Sequence, residues 1–250
     1  MIDLSAQPGA LVGQIRRDAG GVVLFAASAA SLLESARQSL FEPQWWKQQG
    51  SLDPTPGGRG GSWFISHGVD QWVLRHYRRG GWVGRFIEDR FFWLGESRVR
   101  AFSEWRLIAA LKAAGLPVPE PVAARYVRQG ASYRCDLITR RIPLTSALSS
   151  SLRSAPVPMS VWRSVGATVA RLHAHGVDHA DLNAHNILLD PAGAVSVVDF
   201  DRGRVRASGP WRQRNLARLR RSLVKVSTGL PEDRFGQTQW REVLFGYGGG

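Results

Sequence analysis

Two periodicities alternate along the chain. Apolar runs of four to seven residues predict strands, and apolar residues spaced by three and four predict helices. Val22-Val23-Leu24-Phe25 reads as a strand, and residues 28–40 read as a helix. A loop rich in Gly and Pro fills 50–61. Residues 62–66 and 71–77 then form a hairpin across His67-Gly68-Val69-Asp70. Over 101–114 a helix is predicted, with Phe102, Trp105, Ile108, Ala109 and Leu111 as its apolar positions. Gly115 ends it, and Pro117 and Pro119 prevent continuation. Residues 122–127 and 133–139 read as two more strands. Near 140–143 the pattern changes from strands to helices, which divides the chain into 1–141 and 142–250. A helix over 161–175 follows. After it come two short strands, 187–189 and 195–198, joined by the turn Asp190-Pro191-Ala192-Gly193. The remainder is helical and basic. Its helix over 211–226 carries Leu216, Leu219, Leu223 and Val226 on one stripe and Arg214, Arg218, Arg221 and Lys225 on another.

Three polar residues frame the second hairpin. Asp181 precedes Asn186 by five positions, and Asp199 lies thirteen beyond that. Folding the hairpin brings all three to one end of the strand pair. One carboxylate is then free to take a proton, and an amide and a carboxylate can hold Mg²⁺. That ion prefers oxygen ligands and needs few from protein, because water and phosphate complete its shell. Such a set suits phosphoryl transfer from a nucleotide, with Asp181 as base and with catalysis mainly by positioning and charge stabilisation.

The residues HADLNAHN, from His179 to Asn186, resemble the kinase loop H-R-D-L-x-x-x-N, and VDFD around Asp199 resembles the metal-binding D-F-G. The implied fold is α+β and protein-kinase-like, with an antiparallel N-terminal sheet carrying one helix and a mostly helical C-terminal lobe. Other parts can be assigned on that layout. Gly58, Gly60 and Gly61 sit where a phosphate-binding loop belongs, since small residues let backbone N–H groups approach phosphates. Arg75 stands where kinases place a strand lysine, with Arg78 as the alternative cation. Glu104 is the carboxylate expected to pair with Arg75, with Glu96 as a weaker candidate. No A-P-E motif occurs in residues 200–250, so the acceptor is expected to be a sugar, lipid or other small molecule rather than a protein.

The chain further resembles the 3-deoxy-D-manno-octulosonic acid (Kdo) kinases, relatives of the lipopolysaccharide core heptose kinases. The resemblance is carried by 73–81 (VLRHYRRGG), by Leu116-Pro117-Val118-Pro119, and by the run from His179 to Asp190. It implies ATP-dependent phosphorylation of the 4-hydroxyl of Kdo on a lipid A precursor, at the cytoplasmic face of a bacterial inner membrane. Asp181 carries over as the active-site residue.

Composition agrees with these expectations. A hydrophobic fraction of 44% supports a real core. The single cysteine, Cys135, rules out an internal disulfide and suits a reducing compartment. The first residues lack the order of a signal peptide. A formal charge of +13 implies an anionic partner, whether nucleic acid, a phosphorylated substrate or an anionic membrane surface, and the resemblance implies a polyanionic glycolipid on such a membrane. No nucleic-acid motif is visible. Trp45-Trp46 and Phe91-Phe92-Trp93 could anchor in an interface, though core packing is the commoner use of such residues. His179 is expected to brace the catalytic loop and His185 to fill space beside Asn186. No zinc site is expected among the neighbouring histidines, which have no cysteine partner. Rival classes are a protein kinase or autokinase and a non-catalytic pseudokinase docking by charge.

Overall fold

A computed structural model of the protein describes residues 13–54, 62–78 and 89–249. The described residues form two compact units, one of 13–113 with 120–141, the other of 114–119 with 142–249. The first unit is thus interrupted by a short excursion of the chain into the second.

The first unit is a sheet with helices. Its elements are β1 (Gly13–Asp18), β2 (Gly21–Ala26), α1 (Ala30–Ala36), α2 (Pro43–Gln48), β3 (Leu52–Pro54), β4 (Ser62–His67), β5 (Asp70–His76), β6 (Phe91–Phe92), α3 (Arg100–Ala113), β7 (Pro121–Gln129) and β8 (Ser132–Arg140). Eight described strands share one sheet in the order β1-β2-β7-β8-β5-β4-β3, with β6 also pairing β8. Every pairing is antiparallel. The α+β, protein-kinase-like expectation is therefore met. Val23, Leu33, Leu40, Trp46, Ile65, Trp72, Leu74 and Ile138 form one apolar core here.

One local expectation was too simple, and one strand had no expectation at all. The helix expected over 28–40 is a short α-helix between two 3₁₀ turns, Ala27–Ala29 and Arg37–Phe41. The tighter turns end with Leu40 and Phe41 sunk in the core, a position set by tertiary packing rather than propensity. β1 carries no sequence signal, because five of its six residues are exposed. It owes its order to pairing along β2, from Gly13 opposite Ala26 to Asp18 opposite Gly21.

The aromatic pairs mostly pack inward. Trp46 is fully buried, donates from Nε1 to the Leu40 carbonyl at 2.8 Å and meets Trp45 edge-on at 4.6 Å between ring centroids. Phe91 is buried, whereas Phe92 and Leu94 are exposed.

The second unit contains β9 (Ser146–Ala147), α4 (Leu148–Ser154), α5 (Met159–Ala174), β10 (Val177–Asp178), β11 (Ile187–Leu189), β12 (Val195–Val197), β13 (Arg204–Val205), α6 (Trp211–Ser227) and α7 (Gln237–Gly248). β11 lies between β12 and β9, and β10 pairs with β13. α5 and α7 cross closely at two glycines. A Cβ on Gly166 would lie 2.0 Å from the Val243 carbonyl oxygen, and one on Gly246 would lie 2.0 Å from that of Arg163. The turn between β11 and β12 uses Gly193 at φ +82°, with its N–H donating to the Asp190 carbonyl at 3.0 Å.

Candidate active site

The loop between β10 and β11 holds itself in shape through its own polar side chains. Asn183 accepts at Oδ1 from the N–H groups of His185 (2.8 Å) and Asn186 (3.2 Å), and donates from Nδ2 to the Asp181 carbonyl at 3.0 Å. Asn186 donates from Nδ2 to that same carbonyl at 2.9 Å. Leu182 and Ala184 alternate with these polar residues and are buried, which pins the loop to the unit beneath.

The hairpin brings Asp199 to the same end. Ile187 pairs with Val197, and the Val198 N–H donates to the Asn186 carbonyl at 2.9 Å. Asp199 follows at φ +63°, a left-handed conformation that residues other than glycine rarely take. Backbone strain of this kind persists where surrounding structure over-determines it, often at a functional site.

His179 ties both halves together. Its Nε2 donates to the Val198 carbonyl at 3.1 Å, its Nδ1 accepts from the Asp181 N–H at 3.2 Å, and its ring packs on Phe200 at 4.8 Å. Burial pushes its pKa down, so the ring stays neutral and can both donate and accept. The bracing role expected from sequence is thus a bridge between the Asp181 and Asp199 segments. His185 instead meets the Ser149 hydroxyl on α4 through Nδ1 at 2.9 Å.

α6 supports the loop from another side, which sequence reasoning missed. Asn215 accepts at Oδ1 from the His179 N–H at 3.1 Å and donates to Asp178 at 3.0 Å. The Ser222 hydroxyl accepts from the Ala184 N–H at 3.1 Å. Arg218 donates from Nε at 2.9 Å, and also from Nη2, to Oδ1 of Asp181. These residues lie at spacings of three and four, so they share a helix face. Of the three only Arg218 stood out in the sequence, as a member of the basic stripe; Asn215 and Ser222 carried no signal beside Leu216, Leu219 and Leu223.

In the first unit, Arg75 on β5 donates to Glu104 on α3, and the Tyr77 hydroxyl donates to the same carboxylate oxygen. Arg75 also reaches the Tyr77 oxygen at 2.8 Å, and its guanidinium lies 4.6 Å from that ring's centroid. Glu104 is buried, and burial drives the Tyr77 pKa well above its ordinary value. Tyr77 is a further partner that sequence reasoning overlooked. Glu96, the weaker candidate for Arg75, is engaged by Arg17 at 2.7 Å and by the Tyr126 hydroxyl at 2.8 Å. Arg78 is exposed. Gly58, Gly60 and Gly61 lie outside the described residues.

The donor set suits a nucleotide-bound Mg²⁺. Asn186 spends its amide nitrogen on the loop carbonyl, so the oxygen is the end left for a cation. Asp199 supplies one carboxylate. No cluster of three or more His, Cys, Asp or Glu suited to a metal occurs among the described residues. A sparse oxygen site of this kind fits an ion whose shell is largely water and phosphate.

A kinase-type catalytic loop, an acid at the following strand end and a sheet bearing an Arg–Glu pair define a phosphotransferase of the protein-kinase-like class. Residues 43–247 match the model of the lipopolysaccharide kinase (Kdo/WaaP) family, and the chain belongs to that family. It is 44% identical over 207 residues to a 3-deoxy-D-manno-octulosonic acid kinase of Xylella fastidiosa strain M12, across 82% of this chain and 81% of that protein. A protein of the same description from Vibrio parahaemolyticus is 38% identical over 209 residues, covering 84% of this chain and 87% of the relative. Another, from Xanthomonas campestris pv. campestris strain B100, is 44% identical over 199 residues, 78% of each chain.

Proposed function

We propose that this chain transfers the γ-phosphoryl group of ATP to the 4-hydroxyl of Kdo on a lipid A precursor. The observation that carries the reading is the joining of Asp181, Asn186 and the Asp199 segment by one hydrogen-bonded loop and hairpin. The names of the relatives supply the acceptor class.

Arg218 occupies one oxygen of Asp181, and the other is the natural acceptor for the hydroxyl proton. As the acceptor oxygen bonds to phosphorus, the bond between phosphorus and the bridging β,γ-oxygen breaks, and ADP leaves with the electron pair. Asn186 and Asp199 would hold Mg²⁺, which when bound neutralises phosphate charge. Arg75, oriented by Glu104 and Tyr77, is the cation assigned to the nucleotide phosphates, with Gly58, Gly60 and Gly61 as the backbone cradle.

The acceptor is polyanionic and membrane-held, and a +13 chain suits it. No helix among the described residues is long and apolar enough to cross a membrane. Peripheral docking by charge, at about 1 kcal/mol per basic residue near an anionic leaflet, supports action at the cytoplasmic face of the inner membrane. The test is incubation with labelled ATP and Mg²⁺ against Kdo-lipid IVA, free sugars and generic proteins. Label in the glycolipid at the 4-position is expected, and label confined to protein rejects the reading.

A further inference from the structure

A groove of about 430 Å³ opens beside the catalytic loop, lined by Asp178, Ala180, Arg214, Asn215, Ala217, Arg218 and Arg221. All belong to the second unit. The volume falls within the range of small-molecule sites, roughly 300–1,000 Å³. Its chemistry is one-sided. Residues 214, 217, 218 and 221 follow the spacing of a single helix face, and three of them are arginines. Ala217 sits among them as a small residue and leaves the space open.

The opposing acid is already committed. Asp178 accepts from Asn215 at 3.0 Å and from Arg206 at 2.9 Å. Arg218 reaches Asp181. Arg214 and Arg221 are exposed, and no side-chain hydrogen bond or ion pair joins either to another described residue. Two guanidinium forks therefore line a groove that also holds Arg218, the partner of the proposed base Asp181. Guanidinium suits planar, bidentate recognition of carboxylate or phosphate.

We infer that this groove is the acceptor's anion subsite, in which Arg214 and Arg221 hold a carboxylate or phosphate of the glycolipid while its hydroxyl lies at Asp181. The inference rests on the proposed kinase reading and deepens it. It assigns to α6 a substrate-positioning role and separates acceptor binding from the nucleotide residues Arg75, Asn186 and Asp199.

The test uses Arg214→Gln, Arg221→Gln and the double variant in the full chain. Arg218 is left intact because it touches Asp181. The readouts are steady-state kinetics and, independently of turnover, equilibrium binding of Kdo-lipid IVA in detergent micelles. Each single variant should raise the acceptor KM and dissociation constant roughly tenfold, with the KM for ATP unchanged. Two modified acceptors separate the sources of the anion, one with the Kdo carboxyl reduced to an alcohol and one with the lipid phosphates removed. Whichever loss abolishes sensitivity to the arginine variants identifies the anion held. Unchanged acceptor binding in the folded double variant, or a rise confined to the KM for ATP, would overturn the subsite. Arginine-dependent binding without any transfer to the glycolipid would instead uphold the subsite and sink the transfer reading. Transfer that ignores both substitutions would do the reverse.

Discussion

Arg218 and Asp181 share a single oxygen. Two of the guanidinium nitrogens, Nε and Nη2, converge on Oδ1, and no described side chain bonds to Oδ2. Each side chain is 48% exposed, so the pair adds little to stability, about 0–1 kcal/mol. Its consequence is orientation. Arg218→Gln should leave the melting temperature nearly unchanged and lower kcat about tenfold, with little change in the KM for ATP. A thermal melt beside steady-state kinetics checks this, and an unchanged kcat would show the contact to be incidental.

Asp181→Ala should reduce kcat by roughly 10²–10⁴-fold, the usual contribution of a general base. The fold should persist, because a half-exposed side chain with one partner is removed. Asn186→Ala and Asp199→Asn should behave differently, with activity partly restored by raised Mg²⁺. A magnesium titration of all three variants separates the base from the metal ligands. Full recovery of Asp181→Ala at high Mg²⁺ would contradict the assignment.

Removing Arg75 takes a cation away from a buried acid. Glu104 is 4% exposed and would lose its Arg75 cation while keeping the Tyr77 hydroxyl. Breaking a buried pair in this way costs about 3–5 kcal/mol, somewhat less here because Arg75 is 21% exposed. Arg75→Met should therefore lose stability and raise the KM for ATP together. The double variant Arg75→Met/Glu104→Gln should regain stability but not ATP affinity. Denaturant melts of both proteins decide it, and loss that persists in the double variant would point to packing rather than charge.

Gly166→Ala sets two effects against each other. Alanine in a helix interior gains about 1 kcal/mol over glycine. The added methyl would lie 2.0 Å from the Val243 carbonyl oxygen on α7, and overpacking costs typically 1–3 kcal/mol or more. A net loss of about 1–2 kcal/mol is expected by denaturant melt, and a stabilised variant would mean that the helix crossing readily gives way.

His173 and His76 should answer pH in opposite directions. His173 is buried on α5, and burial lowers its pKa to about 4. The unfolded chain protonates this ring near pH 6.5, so its contribution fades as pH falls from about 6.5 to 4. His76 on β5 is raised, first by its hydrogen bond to Asp136 at 2.6 Å. That contribution is complete below about 6.5 and is lost as pH rises through the raised value. Hydrogen exchange corrected for intrinsic rates should show α5 loosening in acid while β5 and β8 hold. Equal loosening of both would contradict the assignment.

Much of this was readable from the chain alone. Asp181, Asn186 and Asp199 flank a hairpin whose strands, turn and spacing are local properties, so bringing their segments to one end needed no tertiary knowledge. Glu104 could be matched to Arg75 because the resemblance to kinases implies an acid on this helix paired with the strand cation. α6 was harder. Asn215, Arg218 and Ser222 meet loop groups thirty-six to thirty-eight residues away, and nothing in a helix pattern names a distant partner. Tyr77 was hidden for a related reason. An aromatic residue at a strand end reads as packing, and its hydroxyl's partner lies on another element.

The guanidinium at position 75 carries one last implication. A lysine ammonium can be acetylated or stripped of its proton in alkali, whereas arginine keeps its charge above pH 12. The guanidinium that Glu104 and Tyr77 orient is therefore immune to lysine-directed modification. Any alkaline decline in turnover must originate from a different group.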